Sequence, residues 1–528
     1  MSRAACATNC ACRWIRSAET VALPAAYVSG YIQKASAACS TGSDQTHARQ
    51  QTYPARPLAG LRRSFAHGWR CGRRLVNGGP PFQLSPHARE GEPITAVGAK
   101  ERAEAARYHF DLLVLSALAL VVGAAAGVVG AFYRLSLDAA DRLRDVLVAW
   151  AQGRGLFGLS CSIAVCALAA CVAAWMVKRF SPHASGSGIP HVEAVLHGEA
   201  PPAPFVLLPV KFFGGVLAIG SGLALGREGP SVQIGAVIGQ FVGKISRRNW
   251  PDCRALLAAG AGAGLATAFN APMAGAVFVL EELVQKFEHR TAMAALGASS
   301  TAIATAHFLL GDSPEFATSL NYPAPAIGPL FFVFGGLMGF LGVFYNRLLF
   351  ATLAVYDSFS GTSVEVRAAL TGAAVGALAW FAPRLVGGGD GITQAALSGS
   401  QDIFILPFVL MLRFGLGSTS YATGTPGGLF APMLALGALA GLFFGVICGL
   451  LLPGLDIQPQ AFAVVGMTAL FTAAVRAPLT GMVLVTEMTG NAVLLLPMLA
   501  ACFTAMLAPT LLSEAPIYES LRERLLRR

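Results

Sequence analysis

The chain has 528 residues, of which 55% are hydrophobic and only 12% charged, about half the charged fraction of a soluble domain, so a chain of several ordinary soluble domains is excluded. Its net charge of +10 gathers before residue 105 (Arg56, Arg62, Arg63, Arg70, Arg73, Arg74) and at the end (Arg522, Arg524, Arg527, Arg528). No basic helix or aromatic stacking platform accompanies that charge, which argues against nucleic acid as a partner.

Residues 1–105 are polar and basic without sustained periodicity, and read as a disordered cytoplasmic tail or as sequence ahead of a misplaced start. A signal peptide is disfavoured, because the apolar run after Thr20 is short and broken by Pro24. Residues 106–518 read as one multi-pass membrane domain with halves at about 106–310 and 311–518, and 519–528 as a short basic tail. Basic flanks at both ends predict that both termini are cytoplasmic.

Within the domain, Phe110–Tyr133 and Phe157–Val177 are long enough to cross a bilayer. Shorter, punctuated runs follow at Ser231–Val242, Leu256–Phe269, Ala274–Leu283, Leu429–Leu436 and Gly481–Val485; their length predicts half-spanning or re-entrant helices. Longer apolar stretches return at Ala292–Leu310, Ile327–Leu349, Ala368–Ala382 and Leu494–Leu512. The fold class predicted is therefore all-α and polytopic.

The chain also repeats itself. The segment from Gly229 to Gly239 aligns with Ala431 to Gly441, and Asn270 to Glu281 aligns with Arg476 to Glu487. Two related halves with interrupted helices at matching positions point to a binding site at the membrane midplane. An odd number of crossings per half would invert one half against the other.

Gly226-Arg227-Glu228-Gly229-Pro230 places a carboxylate inside sequence apolar enough to be membrane-buried. Such a group costs roughly 2.5 kcal/mol or more and marks an ion or proton pathway. Helix-breaking Gly and Pro around it are tolerated at depth only where the backbone lines a cavity. Two further turns have the same character, Gly186-Ser187-Gly188-Ile189-Pro190 and Gly424 to Pro432. Each leads into an apolar helix, and free N–H groups at a helix start form an anion site without a full cation. Three such ends converging would hold an anion and still release it.

Neither enzyme nor metal chemistry is indicated. HExxH, GxSxG and a P-loop are absent, and the nine His residues have no ligand spacing. Eleven Cys show no answering pair for the Cys6, Cys10, Cys12 cluster. No cofactor is expected.

These three turns, in this order, resemble the signature regions of the CLC family of chloride channels and chloride/proton exchangers, over about Phe110 to Tyr518. The resemblance implies two inverted-topology repeats with broken helices meeting at a midplane anion site, and a homodimer in the inner membrane that carries chloride and protons. It implies that Ser187, the amides of Leu429 and Phe430, and the Tyr518 hydroxyl hold chloride. Glu228 matches the gating glutamate and outer proton acceptor, and Glu282 the inner proton-transfer glutamate. The expected function is a proton-coupled chloride antiporter; the alternative is a passive voltage- or pH-gated chloride channel, in which Glu282 is unused or merely pairs with Lys286. Gly186, Gly188, Pro190, Gly229 and Pro230 shape the turns, Arg227 supports them or biases the entrance, and Glu193 with Lys211 matches a buried pair. Glu281, opposite Glu487 in the repeat, reads as structural. His191 departs from the acid that related exchangers usually carry there, and reads either as a modifier of pH dependence or as a solvated loop residue.

Overall fold

The computed structural model describes residues 94–527 apart from 317, 319, 321, 360 and 401, with side chains described from residue 106 onward. The tail expected before residue 94 lies outside the described residues. Residues 94–105 do not belong to that tail: they open the first helix.

Eighteen α-helices, in chain order, make up this unit. The first eight are α1 (Ile94–Gln152), α2 (Gly155–Phe180), α3 (Ile189–Leu196), α4 (Leu207–Gly220), α5 (Glu228–Ile245), α6 (Trp250–Phe269), α7 (Pro272–Phe278, extended by a π turn, Val279–Leu283) and α8 (His289–Leu310). The second series is α9 (Gly328–Ser358), α10 (Val364–Phe381), α11 (Asp390–Leu397), α12 (Leu406–Ala422), α13 (Phe430–Leu451), α14 (Pro459–Val475), α15 (Pro478–Thr489), α16 (Leu495–Ala505) and α17 (Leu507–Leu511). A last helix, α18 (Ile517–Leu526), closes the chain.

Members of the two series match in length, start and packing. α3 and α11 are both eight residues long and both start from a left-handed glycine, Gly188 (φ 84°) and Gly389 (φ 113°). α5 crosses α6 at Gly235, where an added Cβ would lie 2.1 Å from the Gly260 carbonyl; α13 crosses α14 at Gly437, with 2.3 Å to the Gly466 carbonyl. Small residues let helix backbones meet directly, the usual basis of packing where lipid supplies no hydrophobic drive.

The same glycines explain two differences from expectation. α13 is a full 22-residue span rather than the half-span Leu429–Leu436, because Gly437, Gly441 and Gly445 are contact points on a continuous helix. α5 likewise runs 18 residues around the predicted Ser231–Val242. α1, at 59 residues, far exceeds Phe110–Tyr133. The short basic tail is helical over residues 519–526.

The halves are inverted, and local contacts show it. Gly226 and Gly428, equivalent positions 202 apart (428 less 226), form an antiparallel bridge with reciprocal N–H···O bonds of 2.9 and 2.7 Å. Glu281, at the end of α7, accepts from the Leu479 and Thr480 amides that start α15, at 3.0 and 2.6 Å. Its equivalent Glu487, at the end of α15, accepts from the Met273 and Ala274 amides that start α7, at 3.0 and 2.8 Å. Equivalent helices thus run head to tail about a local two-fold axis. One continuous apolar core, including Ile189, Leu225, Phe430 and Tyr518, spans both halves.

Candidate ion-transport site

The three glycine-rich turns come together. The Gly186 amide donates to the Thr425 carbonyl (3.2 Å) and the Gly427 amide to the Gly186 carbonyl (3.1 Å), while Gly226 and Gly428 form the bridge described above. Residues far apart in sequence are therefore laced by backbone hydrogen bonds, and α3, α5 and α13 start from one region. Gly186 and Gly188 adopt φ of 62° and 84°, left-handed values that favour glycine. Pro190 occupies the first turn of α3, where its missing N–H costs nothing.

Glu228 is the first residue of α5 and is fully buried. Its carboxylate does not point to a cation. Oε1 accepts from the Ala431 amide at 3.0 Å, at the start of α13, with the Phe430 amide also within reach. Oε2 has no hydrogen-bond partner. The carboxylate thus occupies the place where a helix start favours an anion. Its pocket exists because two neighbours are glycine: a Cβ at Gly226 would sit 2.1 Å from Oε2, and one at Gly428 would sit 2.4 Å from Oε1.

Ser187 and Tyr518 are buried, and both hydroxyls lack partners. Orphaned buried hydroxyls call for an explanation, because each forfeits a hydrogen bond worth about 1–3 kcal/mol. Gly229 packs on Ser187, with 2.6 Å from a hypothetical Cβ to Oγ, so the turn of α5 rests on that of α3. Leu429 and Phe430 are fully buried at the start of α13. Phe430 lies against Phe471 (centroids 4.2 Å apart) and Phe269 (5.6 Å), an apolar backing that keeps the helix start dry. Pro230 stands in the first turn of α5.

Arg227 is not aimed at the carboxylate beside it. It pairs with Glu315, donates to the Ala268 carbonyl (3.0 Å) and lies 3.6 Å from Asp390. Glu315 also holds Arg134 at 2.6 Å. Glu282 is buried in the π turn, close to Glu193, Glu519 and Arg522. Lys286 is exposed, and among the described residues no ion pair joins it to Glu282.

Two expectations are corrected. Glu193 and Lys211 are both buried but do not pair. Lys211 donates to the Ala184 and Gly186 carbonyls at 3.0 and 2.7 Å, and Glu193 pairs with Arg522 of α18 at 2.7 Å. The turn before Ser187 needed a donor for its carbonyls, and Lys211 is at hand on α4. His191 is not a solvated loop residue: it lies in α3 and is only 4% exposed.

Some groups at the site escaped the sequence reading. The Ala431 amide, which the sequence reading did not name, meets the carboxylate beside that of Phe430. Tyr133 on α1 and Tyr345 on α9 are fully buried with unpartnered hydroxyls, within electrostatic range of Glu228. The signal was present as a third internal match, Gly130-Ala-Phe-Tyr133 with Gly342-Val-Phe-Tyr345. Glu315 carried no motif.

Comparison with known proteins places this geometry. Residues 168–509 match the family model described as voltage gated chloride channel. The H(+)/Cl(-) exchange transporter ClcA of Vibrio parahaemolyticus is 39% identical over 428 residues, covering 79% of this chain and 90% of that one. ClcA of Klebsiella pneumoniae is 36% identical, over 78% and 89% of the two chains. A slow cyanobacterial Cl-/H+ antiporter of known structure superposes with a TM-score of 0.76 at 32% identity, covering 78% of this chain and 98% of that one. A eukaryotic CLC transporter shares the fold at a TM-score of 0.68. With inverted halves, three converging helix starts and these relatives together, the chain belongs to the voltage gated chloride channel family.

Proposed function

We propose that this protein exchanges chloride for protons across the inner membrane, as a homodimer with both termini cytoplasmic. The observation that carries the reading is the Glu228 carboxylate seated on the amides that start α13, beside the orphaned Ser187 and Tyr518 hydroxyls. Ser187, Tyr518 and the Leu429 and Phe430 amides hold chloride. Charged, Glu228 takes the outer anion position itself; protonated, it loses the attraction of the helix start and yields to chloride. One position thus serves either ion in turn, which links their movement. Glu282, set among Glu193, Glu519 and Arg522, passes the proton inward. Its burial without an ion pair to Lys286 favours this role over that of an interface carboxylate in a passive channel.

The test is chloride-driven flux in proteoliposomes with external pH recorded. In the unmodified protein an outward chloride gradient draws protons in. Glu282→Gln keeps chloride flux and loses proton movement, and Glu228→Ala moves chloride without coupling. Chloride flux with no proton movement in the unmodified protein would sink the exchanger reading and return the channel.

A further inference from the structure

Glu315 settles where the charge of Arg227 sits. It lies in the segment between α8 and α9, with its side chain only 8% exposed. That segment is pinned on both sides of the residue: the Ser313 carbonyl accepts from Asn270 Nδ2 at the end of α6 (3.0 Å), and the Phe316 amide donates to the Met488 carbonyl of α15 (2.9 Å). One carboxylate then serves two guanidiniums. Oε1 takes Arg227, and Oε2 takes Arg134 of α1 at 2.6 Å.

Arg227 immediately precedes Glu228, and a buried carboxylate is costly without a cation. Glu228 nevertheless has none: Oε1 sits on the Ala431 amide and Oε2 is unpartnered. Every anchor of Arg227 lies elsewhere. Its Nε donates to the Ala268 carbonyl at 3.0 Å, and Glu315 and Asp390 take the rest of the guanidinium. Asp390 is the looser partner, 3.6 Å away and with its side chain 49% exposed. An opposite charge close to a carboxylate favours its ionised form, and a carboxylate held ionised cannot alternate between a proton and its seat on the helix start.

We infer that Glu315 is a positioning residue for the exchange: by engaging Arg227 and Arg134 it keeps their positive charge from stabilising the Glu228 carboxylate, and so leaves that carboxylate able to take up a proton. This rests on the exchanger reading above. Two arginines and two acids, Glu315 and Asp390, balance one another here, and Asp138 of α1 adds a negative charge within range of both arginines. Asp390 of α11 is also within range of Glu228, as are the hydroxyls of Tyr133 on α1, Tyr345 on α9 and Tyr518 on α18. His307 of α8 lines a polar cavity of about 20 Å³ with Arg134 and bonds Asn270 at 2.8 Å. These groups are the same in every variant below.

The sign of the charge separates this role from a structural one. Glu315→Gln and Arg134→Gln break the same ion pair but change the local charge in opposite directions. Coupled flux is recorded in proteoliposomes with equal pH on both sides, from about pH 4 to about pH 8. Glu315→Gln leaves positive charge in excess and favours ionised Glu228, so the midpoint of the pH profile should move to lower pH by about half a unit or more. Arg134→Gln leaves negative charge in excess and should move it to higher pH. In Glu228→Ala, adding Glu315→Gln should leave the pH profile of chloride flux where it was. If one variant is not monodisperse on gel filtration, the direction of shift in the other decides. Midpoints that move the same way or not at all, or a shift that persists without Glu228, overturn the inference and leave the exchanger intact. No proton movement in the unmodified protein would overturn the exchanger reading, and this inference with it.

Discussion

At the residue scale, the Glu228 pocket is made by what Gly226 and Gly428 lack. A methyl group at either position would overlap the carboxylate, so Glu228 can seat on α13 only while both stay glycine. On the proposed mechanism, Gly428→Ala should therefore mimic loss of the Glu228 carboxylate, with chloride flux retained and at least about a tenfold drop in protons moved per chloride, a bias of about 1.4 kcal/mol against the seated state. Flux and pH recorded in the same vesicles check it, with gel filtration to confirm a folded protein; unchanged coupling would mean that the carboxylate seats elsewhere. Glu228 and Ser187 were legible in sequence because glycine and proline frame a polar residue in apolar surroundings. Tyr133 and Tyr345 were missed, since a lone tyrosine in an apolar helix looks like core and only their internal match marked them. Partner choice was also hidden: the sequence places Glu193 and Lys211 in one buried region, but only packing brings Arg522 to Glu193 and the turn carbonyls to Lys211.

At the scale of elements, α7 and α15 are short helices held by each other's carboxylates. A charged acceptor on N-terminal amides contributes about 1.5–3 kcal/mol, and here each helix supplies one and receives one. Glu487→Ala and Glu281→Ala should each lower the unfolding temperature of the purified protein by several degrees, about equally. The double substitution should cost less than the sum if the two caps hold one shared interface. Thermal unfolding of the four proteins measures the coupling, and strict additivity would mean that the caps act separately. Helix existence was readable from apolar runs, whereas extent was not. Glycines that read as breaks, as at 437 and 441, proved to be packing contacts, and the helical end at α18 had no apolar signature because half of its residues are charged or polar.

At the scale of the whole molecule, the two-fold axis passes through the functional centre. The Gly226–Gly428 bridge lies on it, and the starts of α5 and α13 approach one another from opposite halves, so the proposed anion site belongs to neither. Sequence similarity revealed the repeat but not its sense, because alignment is blind to orientation; head-to-tail capping supplies it. The join between the halves is that of an isologous dimer, in which each side offers the surface it receives. A gene cut within 317–324, after Glu315, should yield two fragments that transport chloride only when co-expressed, and reconstituted flux from paired and single fragments tests this. The same geometry is the one that two copies of a single half-length chain would form if inserted into the membrane in opposite directions: turned by half a revolution, each would offer the caps and the bridge strand that the other receives.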